Sequence, residues 1–102
     1  MCHPVFFPMT QIDYALLLDT IISDESGARQ HALRRIFAQD EFAVTPLLDQ
    51  FYAGVNETNG LLIIYIIAEI GGYEANHFLD ELVTLHQPYA SWQFAAQYLK
   101  QF

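Results

Sequence analysis

Apolar positions recur along this chain at three- and four-residue intervals, and a polar or glycine–proline break closes each run. The run from Ile12 to Ile22 is broken only by Asp13, Asp19 and Thr20. It predicts a helix capped by Thr10, with Asp13 in the first turn, where the positive helix end favours a carboxylate. Ser23 to Gly27 end it, and Ser26 is the cap candidate for a second helix over about 27–38. Ala28, Ala32, Leu33, Ile36 and Phe37 form the stripe of that helix, with Arg29, His31, Arg34 and Arg35 elsewhere on its surface. A third helix, about 41–53, carries Ala43, Leu47 and Phe51. Asp40 is its cap candidate, Pro46 is tolerated near its first turn, and Gly54 and Asn56 end it. From about 59 to 70 nearly every residue is apolar and Glu69 is the only charge. Its β-branched content suits a buried strand as well, but no other segment reads as a strand partner. A helix apolar all round must be central and covered on several sides. Gly71-Gly72 ends it. A fifth helix, about 74–85, turns Ala75, Phe78, Leu79, Leu82 and Val83 inward. A sixth, about 89–101, follows Gln87-Pro88.

Six helices with connections of two to six residues predict an all-α domain of antiparallel neighbours. The chain also repeats weakly. At an offset of 32 residues Ala43 meets Ala75, Leu47 meets Leu79 and Phe51 meets Val83; with one gap, Ile36 meets Ile67 and Leu33 meets Ile64. A unit of this size, helix–turn–helix, cannot bury its apolar faces alone and is stabilised by stacking.

The segments Ala32-Leu33-Arg34-Arg35-Ile36 with Ala43 to Leu48, and Ile67 to Ala75 with Leu79 and Val83, resemble HEAT repeats. The likeness is to the short form named after phycobilisome lyases, over about residues 28–86. Two departures stand out: the first unit has Phe37 and no glycine turn, and the second has Ile63 and Ile66 where the family carries polar or small residues. The resemblance implies a short α-solenoid, a helical-repeat array of about six antiparallel helices over residues 10–102, after an extended arm at 1–9. An irregular helical bundle is the alternative. The resemblance also implies a concave surface lined by the second helix of each unit.

Composition narrows the function. The chain has 102 residues, 53% hydrophobic, enough for one domain with its own core. Twelve acidic residues against four basic ones give a net charge of −8, which argues against nucleic acid as a partner, since phosphate attraction needs a basic patch. The one cysteine, Cys2, cannot form an internal disulfide. The opening segment lacks the basic residue and long apolar run of a signal peptide. The strongest apolar run, Leu61 to Ala68, falls well short of the ~20 residues that cross a bilayer. The expectation is a soluble cytoplasmic protein without a membrane partner.

The same offset sets Thr45 over His77, Asp49 over Glu81, Tyr52 over Thr84 and Leu48 over Asp80. All lie on the polar faces of the third and fifth helices, so the resemblance implies an acidic concave strip complementary to a basic protein partner. A second candidate surface is aromatic. Trp92, Phe94 and Tyr98 cannot all point one way on the last helix, which with Phe6, Phe7 and Phe102 suggests a homodimer contact or partner site. His31, Arg34 and Arg35 form a small basic spot whose simplest role is pairing with Glu69 one unit along. Cys2, His3, His31, His77 and His86 match no metal-ligand spacing, and no nucleophile motif or phosphate loop occurs. No cofactor is implied. The expected function is a non-catalytic protein-interaction module. Alternatives are an antitoxin or immunity-type inhibitor of a basic toxin or nuclease, and an accessory protein related to bilin lyases.

Overall fold

The computed structural model describes residues 13–23 and 26–100; the expected arm at 1–9, the Thr10 cap and Phe102 lie outside them. The described residues are all-α, with six helices: α1 (Tyr14–Ile22), α2 (Ser26–Ala38), α3 (Val44–Ala53), α4 (Glu57–Ile70), α5 (Tyr73–Thr84) and α6 (Ala90–Leu99). Each lies within a few residues of the helix that the apolar periodicity predicts.

The helix ends differ from expectation at four places. Ser26 is the first residue of α2 rather than its cap. Asp13 caps α1 itself, its carboxylate accepting the Leu16 amide at 3.1 Å. Asp40 caps nothing. With φ 53° it opens a short 3-10 turn, Asp40–Ala43, that joins α2 to α3. A linkage this tight needs a left-handed residue, and Asp is among the few side chains that tolerate one. Ala43 then stands at the cap of α3 with no side-chain bond. Asn56 does not close α3 but starts α4, its side-chain oxygen accepting the Asn59 amide at 2.8 Å. Gly71 and Gly72, at φ 77° and 101°, reverse the chain between α4 and α5 in two residues, a path closed to most side chains.

Helix α4 is the centre of the structure. It packs against α1, α3, α5 and α6, and Ile63, Ile64, Ile66 and Ile67 are buried among them. The positions that the 32-residue offset pairs share the core: Ala43 and Ala75, Leu47 and Leu79, and Ile36 and Ile67 are all buried. α4 and α6 interlock at Gly60 and Trp92. The Trp92 indole lies on Gly60, is 4% exposed, and donates from Nε1 to the Glu57 carbonyl at 3.1 Å. Ser91 donates to the Glu57 carboxylate at 2.6 Å beside it. Gly60 permits this approach: a Cβ there would stand 2.2 Å from the ring. Phe51 and Tyr89 flank the indole with centroids 4.7 and 4.8 Å away.

Candidate functional site

The predicted strip divides in the structure. On α3, Thr45, Asp49 and Tyr52 are exposed. On α5, His77, Asp80 and Thr84 are exposed and Glu81 is half-buried. Only part of this set converges. Edge-to-face contacts with Phe51 and Phe78 hold the Tyr52 ring between α3 and α5. Its hydroxyl donates to Glu81 Oε1 at 3.1 Å. The other Glu81 oxygen lies 3.4 Å from His77 Nε2, an ion pair whenever the imidazole is protonated. Partial burial raises the Tyr52 pKa above the ordinary 10.0, and both the hydrogen bond and the charge of Glu81 add to the shift. Tyr52, His77 and Glu81, with Leu48, Tyr73 and Glu74, line a small cleft of about 200 Å³.

Asp80 does not belong to that cleft. One residue along an α-helix rotates a side chain by about 100°, so Asp80 points toward α6, where its carboxylate meets Lys100. The two border a separate depression with Asn76 and Leu99. Thr84 turns its hydroxyl onto the Asp80 carbonyl at 2.9 Å.

The aromatic candidate also divides. Trp92 is a core residue, not a surface anchor, because its hydrogen-bond partner and its glycine seat lie inside the α4–α6 contact. Phe94 and Tyr98, one turn apart, are exposed. The pairing expected between Glu69 and the arginines is absent among the described residues: Glu69, Arg34 and Arg35 are exposed, and no ion pair links them.

Sequence reasoning missed the surface around the Gly71–Gly72 turn. Phe42, on the 3-10 turn, and Tyr73, at the start of α5, are 85% and 86% exposed. The Glu41 carboxylate leans over the glycine pair, 3.3 Å from where a Gly72 Cβ would stand. Glu41, Val44, Tyr73 and Glu74 line a shallow depression there, and Tyr73 and Glu74 continue it into the Tyr52 cleft. Glu74 belongs to the first turn of α5, where the helix dipole favours negative charge. Tyr73, an aromatic residue directly after two glycines, was the available signal.

A larger groove of about 620 Å³ lies between α2 and α4, lined by Leu33, Phe37, Leu62, Tyr65, Ile66 and Ile70, with Asp40 and Glu69 on its edge. No group of three metal-ligating side chains converges among the described residues, and no helix there is long and apolar enough to cross a membrane. Comparison of the chain with protein-family models, with curated proteins and with solved structures found no match.

Proposed function

We propose that this protein is a non-catalytic, cytoplasmic interaction module, built as a short HEAT-like array, that recognises a basic segment of a partner protein. The recognising surface is the cleft between α3 and α5 together with the Gly71–Gly72 turn. One observation carries the reading. Glu41, Glu74 and Glu81 border this surface beside Tyr52 and Tyr73, and no lysine or arginine of the described residues lines it. Carboxylates of one sign raise the encounter rate with a basic partner and reject acidic ones. Exposed tyrosines supply contact area at low entropic cost, with a hydroxyl that remains satisfied at the rim of an interface. The Tyr52–Glu81 bond holds both groups in place before a partner arrives, so less order is lost on binding.

The test is affinity capture from native-type lysate, with the wild type, a Tyr73→Ala/Glu74→Gln/Glu81→Gln variant and an Asp80→Asn variant run in parallel. The expected result is one basic protein held by the wild type and by Asp80→Asn, about tenfold weaker on the triple variant, and released by high salt. Equal retention by the triple variant overturns this assignment of the surface.

A further inference from the structure

The groove between α2 and α4 is a different surface. It points to a partner of definite shape. Its geometry follows from one contact: Glu41 lies against Gly72, so the residues that follow α2 and α4 meet at the same end. Both negative helix ends therefore lie at one end of the groove. Asp40 and Glu69 stand at that end as well. Along the groove, Leu62, Tyr65, Ile66 and Glu69 follow each other on α4 at the spacing of one helix face. Across from them, Leu33 and Phe37 stand one turn apart on α2. This is the one side of α4 on which a large aromatic residue stays open: Tyr65 is 48% exposed and Phe37, opposite it, 37%. A helix apolar all round needs a cover on each side, and α1, α3, α5 and α6 supply the others.

We infer that the groove docks an amphipathic helix of a partner protein, with apolar residues at i, i+3 or i+4, and i+7, and lysine or arginine at the end that meets Asp40 and Glu69. This rests on the interaction reading above but uses different residues. The occupant is chosen by charge and shape. Two carboxylates and two helix C-termini converge on one end, and both favour cations. The apolar floor is long enough for about two helical turns, since Leu62 to Ile70 on α4 rises roughly 12 Å, and apolar side chains from two helices offer the furrow that a third helix fills. A small molecule fits less well, because the groove is open along its length and a tight small-ligand site buries most of its ligand. The acidic end rejects an anionic lipid surface.

The probe is a phage-displayed library of 12-residue peptides, about three helical turns, selected on the wild type. The strongest binder is then synthesised and measured by fluorescence anisotropy. The expected winners share apolar residues at helical spacing and one basic end. Their affinity falls at least about tenfold, or 1.4 kcal/mol, on Phe37→Ala/Tyr65→Ala. It also falls on Asp40→Asn/Glu69→Gln, whose small polar substitutions keep the left-handed Asp40 backbone accessible. Circular dichroism confirms that each variant folds. Peptides without the basic end, or equal binding to both variants, overturn the proposal. Binding lost only on Tyr73→Ala/Glu74→Gln overturns it too while leaving the α3–α5 surface standing. So does a concentration-dependent dimer in sedimentation that Tyr65→Ala dissolves, which would make a second copy the occupant.

Discussion

Replacing Gly60 with alanine tests the packing at the heart of the fold, because two effects of opposite sign meet there. In an open helix position the change is favourable: glycine is about 1 kcal/mol worse than alanine in a helix interior. At Gly60 the new methyl would stand 2.2 Å from Cζ2, 2.4 Å from Cε2 and 2.7 Å from Nε1 of Trp92. The indole cannot simply retreat, since Phe51 and Tyr89 are packed on it and its N–H is committed to Glu57. Overpacking of this kind costs about 1–3 kcal/mol, and displacing the indole nitrogen from its acceptor costs about 1 kcal/mol more. After the propensity gain, the net loss is about 1–3 kcal/mol. At ~4–8 °C per kcal/mol for a domain near this size, Tm falls by at least about 4 °C. Thermal and urea unfolding of Gly60→Ala, Trp92→Phe and the double variant measure it. Phenylalanine removes Cζ2, the closest of the three atoms, and the N–H, so the cost of Gly60→Ala should shrink in the Trp92→Phe background. Gly27, with no atom of the described residues within 4 Å of its Cβ direction, is the control, and Gly27→Ala should not destabilise. If Gly60→Ala stabilises the wild type, or costs the same with and without Trp92, the interlock of α4 and α6 is misassigned.

Three further outcomes are expected. Leu47→Ala removes a side chain with no exposure, from a position covered by the core, and should cost about 2–5 kcal/mol in urea unfolding; Phe42→Ala, on the open 3-10 turn, should change stability by no more than about 0.5 kcal/mol. Asn56→Ala removes the oxygen that accepts the Asn59 amide and should cost about 1 kcal/mol, while Asn56→Asp retains an acceptor and most of the stability. Burial raises the pKa of Tyr14 and, with help from Glu81, that of Tyr52 above the ordinary 10.0. A raised phenol favours its neutral form, so the linked stability is whole below pH 10.0 and is lost as pH rises through the two folded values. Absorbance of tyrosinate should show two late-titrating groups. Tyr52→Phe should remove one, and Glu81→Gln should move it back toward the ordinary range; an unchanged titration in Glu81→Gln would mean that the carboxylate does not act on the phenol.

The helices were legible in the sequence because a helix is a local object. The stripe Ala28, Ala32, Leu33, Ile36 and the breaks at Gly54 and Gly71-Gly72 are set by residues within a turn or two of each other. So was the centrality of α4: a segment with one charge in twelve residues has no face to offer water. Helix ends were less legible, because Asp40 and Asn56 suit both a turn and a cap, and only the path of the following helix decides which. The candidate surface depended on more. Periodicity alone could place Asp80 and Glu81 on one polar face of α5, yet Glu81 joins Tyr52 on α3 while Asp80 joins Lys100 beside α6. That choice is made by where two neighbouring helices lie, which neither residue encodes. Trp92 carried the same ambiguity. An aromatic residue on a terminal helix reads equally as core or as surface until its seat is known, and its seat is a glycine in another helix. The sequence by itself determined which stretches are helical, which of them must be central and that the protein is acidic. Only the tertiary structure decided which carboxylates share a surface, since convergence across helices depends on their crossing and register rather than on spacing along the chain.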